Sequence, residues 1–302
     1  MTETGAAMSS VSELASGLRN GTKRVVLLAN RHSADAERLG PILTKWLAAR
    51  GIAVVTDGAF EADIGLVLSL GGDGLMMRAA RRYPDVPVLG INFGHFGFLT
   101  AAEAEEWEQS LARVIAGDFH VRVGPTLVTR LHRRESGRDE DLGWAVNDVV
   151  VHGGLRFIQP SLFIDRQYVN DYPGDGMVIS TPAGSTAYCM AAGGPVLLSG
   201  VGGLAIVPIS CHSPIRVSLV VPEDVEIGIR LDGRHPANLI IDGESDQQRT
   251  IEPGDTVSVR KGPVEFRHVS FRSFDWFAAF QSKFNYQIRR ADQAAPEPFP
   301  SG

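Results

Sequence analysis

A change of hydrophobic period near Val121 constrains this chain more than any other feature. Before it, continuous apolar runs alternate with helical stretches. After it, apolar and polar residues alternate one by one. Residues 24–29, 52–55, 64–70 and 88–91 are short, almost wholly apolar runs, as expected of strands covered on both faces. Helical patterns lie between and after them. Pro41 suits the first turn of a helix that puts Leu43, Trp46 and Leu47 on one face and ends at Gly51. A short helix after Gly74 puts Met76, Met77 and Ala80 on one side. Residues 102–116 start acidic, carry Trp107, Leu111, Val114 and Ile115, and stop at Gly117. Strands alternating with helices define a mostly parallel, Rossmann-like sheet.

Beyond Val121, residues 225–231, 257–260 and 264–267 alternate strictly. Turn signals separate such runs, among them Pro222-Glu223-Asp224, Asp232-Gly233, Asp242-Gly243 and Pro253-Gly254-Asp255. This pattern reads as an all-β sandwich. The expected organisation is a flexible leader over 1–22, an α/β domain over 23–120 and a β-sandwich domain over 121–270. A C-terminal helix over 271–288, with Phe277, Phe280 and Phe284 on one stripe, is expected to return to the α/β domain. A Pro-rich disordered tail covers 289–302.

A chain of 302 residues accommodates two domains. Its formal net charge of -6 argues against nucleic acid or an acidic membrane surface as a main partner, while leaving a small anionic substrate open. Cys189 and Cys211 form neither a disulfide framework nor a Cys-x-x-Cys metal pair. No signal peptide or membrane span is evident, so a cytoplasmic protein is expected. The eight histidines show no metal-ligand spacing. Walker A, Gly-x-Gly-x-x-Gly after the first strand, the nucleophile elbow and His-Glu-x-x-His are all missing.

Three constellations carry chemistry. The first is Gly71-Gly72-Asp73-Gly74, where a buried strand breaks into a loop before a helix. Glycines allow close backbone approach, and the first N–H groups of a helix favour anions. A carboxylate inside such a cradle opposes phosphate binding, and phosphoryl transfer to a hydroxyl supplies a reason for it. These residues read equally as a βα turn with a capping aspartate. The second is Asn92-Phe93-Gly94-His95-Phe96-Gly97-Phe98-Leu99, at the carboxyl end of a strand, where open parallel sheets bind ligands. Phe96 and Phe98 offer flat surfaces to a base, or fill a core. His95 contacts phosphate, or is an ordinary surface histidine. The third and longest runs from Asp175 through Ser180-Thr181-Pro182-Ala183-Gly184-Ser185-Thr186-Ala187-Tyr188, a strand opening into small hydroxyl residues that expose donors. Asn147-Asp148 adds an amide and a carboxylate inside the apolar run 144–152. They suit an adenine edge and ribose hydroxyls, or else face solvent. Asp242-Gly243 reads as a hairpin turn.

In this order these motifs, together with Gly193-Gly194-Pro195 and Asp242-Gly243, resemble the NAD kinases over roughly residues 24 to 288. The Gly-Gly-Asp-Gly loop is shared with diacylglycerol and sphingosine kinases, whereas the run from Asp175 to Tyr188 is specific. The resemblance implies ATP-dependent phosphorylation of the 2′-hydroxyl of the adenosine ribose of NAD, giving NADP, with Mg²⁺ accompanying ATP. It implies Asp73 as the base that takes the hydroxyl proton. It implies NAD contacts at Gly74, Asn92, Phe98, Asn147, Asp148, Asp175, Thr186, Ala187 and Tyr188, with the β domain binding NAD. ATP or phosphate contacts fall at Gly71, Gly72, Gly74 and His95, with no protein metal site. A homo-oligomer, dimer or tetramer, is expected, without nucleic acid or membrane. Three positions depart from the family pattern: Leu75 stands where Thr or Ser is usual, Asp148 where Glu is usual, and Ala183 where Thr is usual. The competing readings are a lipid kinase of the same superfamily and a non-catalytic NAD(H)- or NADP(H)-binding paralogue. Leu75 favours the latter, and retention of Asp73 opposes it.

Overall fold

The computed structural model describes residues 3–56, 63–93, 97–212, 214, 216–244 and 248–271. The first half contains α1 (Glu3–Arg19), β1 (Arg24–Ala29), α2 (Ala34–Ala48), β2 (Val54–Thr56), β3 (Ile64–Leu70), α3 (Asp73–Arg82), β4 (Val88–Asn92), β5 (Ala102–Glu103) and α4 (Trp107–Ala116). The strands of this half pair in parallel, in the order β5-β4-β3-β1-β2. Their side chains divide between two cores. Val25, Leu66, Leu68, Leu70, Leu89 and Ile91 face α1, α2 and α4, while Val26, Leu28, Val67 and Val88 face α3. Burial on both faces is why these strands read as unbroken apolar runs.

The second half contains β6 (His120–His132), β7 (Asp139–Ala145), β8 (Asp148–His152), β9 (Gln159–Ile164), β10 (Gln167–Asp171), β11 (Gly176–Ser180), α5 (Tyr188–Ala191), β12 (Gly203–Ile209), β13 (Leu219–Pro222), β14 (Ile227–Asp232), β15 (Ala237–Ile241), β16 (Arg249–Ile251) and β17 (Thr256–Ser270). Six strands form an antiparallel sheet in the order β13-β12-β11-β8-β15-β16. Its inner face (Val149, Val151, Met177, Ile179, Leu204, Ile206) packs on Leu127, Leu162, Ile227, Ile229, Val257 and Val259 of the other sheet. That is the expected sandwich. Its outer face (Val150, Val178, Ala205, Val207) is covered by Cys189 of α5 and Leu197.

Several expectations are corrected. The leader is not loose: α1 inserts Leu14, Ala15 and Leu18 into the parallel-sheet core. Pro41 lies inside α2 rather than in its first turn, because Ser33 caps the helix seven residues before the expected start. The backbone reverses at Gly51, two residues past the C-cap at Ala49. Residues 102–106 form a short strand and a 3₁₀ turn before α4, which ends at Gly117 in the left-handed region (φ 83°). The alternating segments 257–260 and 264–267 belong to the single strand β17, whose register shifts between Lys261 and Glu265. The two halves also share a sheet. β17 pairs with β6 along its length and, at His268, in parallel with Val88 of β4, giving one mixed sheet of 11 strands. The segment expected as a C-terminal helix, and the tail after it, lie outside the described residues.

Candidate active site

β3 ends at Leu70, and the chain turns through Gly71 and Gly72 into α3, whose first residue is Asp73. Gly72 occupies the N-cap and provides no side-chain cap; Leu75 N already donates to Gly72 O (3.0 Å), which leaves the N–H groups of Asp73 and Gly74 to face a ligand. A Cβ at Gly72 or Gly74 would meet no protein atom, so the loop faces open space. Asp73 is anchored across the cleft. Its Oδ2 accepts from Phe98 N at 2.8 Å and its Oδ1 from Leu99 N at 3.1 Å. Gly97 is glycine for a steric reason, since a Cβ there would overlap the Asp73 carboxylate and the Thr100 hydroxyl. Two of the sequence motifs thus meet at one carboxylate.

The third motif meets Asn147-Asp148. The run 144–152 is not one strand, because the chain passes from β7 to β8 at Val146 and Asn147 and so changes sheet. The hydroxyl run was expected to expose donors, and mostly it does not. Thr181 Oγ1 donates to Val146 O (2.6 Å), Ser180 Oγ to Asn147 O (3.3 Å), and Ser185 Oγ to Pro182 O (2.7 Å) while accepting from Leu197 N (2.9 Å). All three residues are buried. Ser180 and Thr181 brace residues 146 and 147, Ser185 ties Pro182 to Leu197, and Gly184 lets the turn come close, since a Cβ there would overlap the Asn147 carbonyl. Ala183 and Thr186 are half-buried, and Ala187 and Tyr188 are exposed.

Asn147 Oδ1 is buried without a hydrogen-bond partner, which marks a place for a donor from outside the described residues. Burial, and secondarily the carboxylate of Asp242, push Asp148 up to about 7. Tyr188 is raised by burial and then by Asp175 and Asp148, which places the three groups within electrostatic reach of one another. Asp175 is half-buried just before β11. Asn92 is set apart, because its amide reaches Glu103 (3.4 Å) on the neighbouring strand. Phe98 lines, with Pro182, Ala183 and Thr186, a cleft of about 500 Å³. His95 lies outside the described residues.

Sequence reasoning missed two groups. Asp242 is not a plain hairpin residue: its carboxylate is fully buried and takes N–H bonds from Val146, Asn147 and Asp148. An acidic residue ending an apolar strand is the only trace of this in the sequence. Arg31, His32, Arg78, Arg81 and Arg82, together with Glu37 and Glu244, surround a cavity of about 820 Å³ beside the glycine loop, and this excess of cations suits a polyanion. They are scattered along the chain, so no local motif reveals them. Leu75 is buried, packs toward Gly71 and lines the same cavity.

A carboxylate at the glycine-rich start of a helix, a mainly cationic cavity beside it and a buried amide and carboxylate at Asn147-Asp148 fit the class of a nucleotide-dependent phosphotransferase. Residues 55–119 match the ATP-NAD kinase N-terminal domain and residues 146–271 the ATP-NAD kinase C-terminal domain. The chain is 46% identical over 270 residues to the NAD kinase of Thermomicrobium roseum, covering 88% of this chain and 93% of that one. It is 34% identical over 231 residues to the NAD kinase of Gemmatimonas aurantiaca, covering 75% and 79%. The fold is similar to yeast NADH kinase complexed with NADH (TM-score 0.78, 19% identity, 91% of each chain). It is also similar to the Archaeoglobus fulgidus NAD kinase in complex with ATP (TM-score 0.68, 22% identity, 86% of this chain and 97% of that one). The chain belongs to the NAD kinase family.

Proposed function

We infer that this protein transfers the γ-phosphoryl group of ATP to the 2′-hydroxyl of the adenosine ribose of NAD, giving NADP and ADP. The observation that carries the reading is the setting of Asp73. Each of its oxygens takes one backbone N–H and keeps a lone pair, so the carboxylate is oriented and still able to accept a proton. As the ribose oxygen attacks the γ-phosphorus, its proton passes to Asp73 and the bond to the β-phosphate oxygen breaks. Phosphoryl transfer asks the protein mainly for positioning and charge. Gly71, Gly72 and Gly74 open the cradle, and the cavity edged by Arg31, His32 and Arg78 suits the triphosphate. Asn147 Oδ1 suits the adenine amino group, and ionised Asp148 suits ribose hydroxyls. Asp175, Thr186, Ala187 and Tyr188 complete the NAD pocket.

Mg²⁺ fits as an ion carried by the nucleotide. It needs only one or two protein carboxylates besides phosphate oxygens and water, and Asp73 is the one at the loop. Among the described residues no cluster of three His, Cys, Asp or Glu forms a resident metal site. When bound, it would neutralise charge developing on the phosphates. Among the described residues no helix is long and apolar enough to cross a membrane. We place the enzyme in the cytoplasm, as a dimer or tetramer built through the β domain, where Leu155, Phe157, Val217 and Val220 leave apolar surface exposed.

The test is Asp73→Asn. It should keep the dissociation constant for NAD within a few-fold and lower kcat by about 10²–10⁴, the usual scale for a positioned base. An unchanged kcat would remove Asp73 from that role.

A further inference from the structure

Arg81, which also edges the cavity described above, pairs across the halves of the molecule with Asp242 and Glu244. Asp242 follows β15 at a positive φ of 50°. Its Oδ1 accepts from Asn147 N (2.6 Å) and Asp148 N (3.0 Å). Its Oδ2 accepts from Val146 N (2.7 Å) and Arg81 Nη2 (2.6 Å). Four donors thus converge on a side chain with no solvent exposure. Arg81, 13% exposed, stands in the last turn of α3, and its Nη1 lies 2.8 Å from Glu244. An asparagine at 242 would offer one acceptor oxygen and turn its NH₂ group on a donor. Stability alone does not call for a charge here, since a buried ion pair gains little over apolar packing. Its location is more telling. One end fixes the consecutive amides of residues 146–148, and the other grips the helix whose first residue is Asp73.

We propose that Arg81 and Asp242 are positioning residues for phosphoryl transfer, with Asp242 setting the Asn147-Asp148 turn and Arg81 tying that turn to the helix that carries Asp73. The inference rests on the reading above, in which Asp73 is the base and Asn147-Asp148 hold the acceptor nucleoside. α3 is a single 10-residue helix packed through Met76 and Ala79 against Val146 and Leu99. A shift at its last turn therefore tilts its first. Misplacing reacting groups by about 1 Å costs on the order of 10²-fold in rate.

The experiment compares full-length Arg81→Met, Arg81→Lys, Asp242→Asn and the double variant Arg81→Met/Asp242→Asn by steady-state kinetics, NAD titration and thermal melting. Arg81→Met should lower kcat per folded molecule by about 10–100-fold, with NAD affinity changed by less than about threefold. Arg81→Lys keeps a cation for Asp242 and should recover much of the loss. The double variant should be no slower than Asp242→Asn, because both changes cut the same link. Unchanged kcat in the folded fraction of Arg81→Met, with only the melting temperature or yield reduced, would overturn the proposal. Losses that simply multiply in the double variant would also overturn it. Asp73→Asn, run alongside, separates the two levels. If it retains full kcat, the base assignment fails. If it loses kcat while Arg81→Met does not, only the positioning role fails.

Discussion

The pH response of the site is concentrated in Asp148. Burial first, and Asp242 second, lift its carboxyl from the ordinary aspartate range to about 7. Between these values the folded state holds a proton that the unfolded state has lost. Its contribution to stability is therefore complete below the lower value and fades as pH rises through the upper one. In the role proposed for Asp148 function runs the other way, because the ionised form is the one that offers both oxygens as strong acceptors to two ribose hydroxyls. The apparent KM for NAD should fall roughly tenfold between about pH 6 and pH 8, and this slope should vanish in Asp148→Asn. A slope that persists in Asp148→Asn would assign the titration to another group. At this scale Asp73 stands out in the sequence because glycines on both sides of a carboxylate are locally unusual. It did not expose Asp242, whose partners lie about a hundred residues away and whose Asp-Gly dipeptide looks like any turn. The hydroxyl run, expected to expose donors, turns most of them inward. Ser180, Thr181 and Ser185 hold the backbone of their neighbours, and hydrogen-bond direction is invisible in a string of residues.

Among the elements, α1 is the largest departure from expectation. Its Ser-, Ala- and Gly-rich sequence has a weak apolar stripe, and only its contact with the parallel-sheet core explains why Leu14, Ala15 and Leu18 are buried. Leu18→Ala should lower the unfolding free energy by about 2–5 kcal/mol in urea titration, the usual cost of emptying a buried leucine site. A loss below about 0.5 kcal/mol would mean that the helix does not pack there. The start of α2 departs from expectation because Ser33, rather than the residue before Pro41, caps the helix, and the proline is tolerated inside. β17 was divided into two strands because the pattern breaks where its register shifts. Strands buried on both faces were the most legible elements, since continuous apolar runs of that length leave few other structures.

Across the whole molecule, the change of period near Val121 correctly divided the chain into an α/β half and a β half. It could not reveal that one sheet runs through both. The pairing of β17 with β4 joins residues 180 positions apart, and His268 looks no different from any other strand residue in the sequence. That continuity explains how the site is assembled. α3 lies between the parallel sheet and the sandwich, with Met76, Leu99, Val146 and Phe266 in one shared core. The proposed base and the proposed acceptor pocket, carried by different halves, are therefore held in one frame. The most direct test of the account is the formation of NADP from NAD by the purified protein with ATP and Mg²⁺, with the phosphate located on the product. The expected result is ATP-dependent 2′-phosphorylation that is absent from NAD-free and protein-free controls. NAD binding without any phosphorylated product would contradict it and leave a non-catalytic nucleotide-binding member of the family.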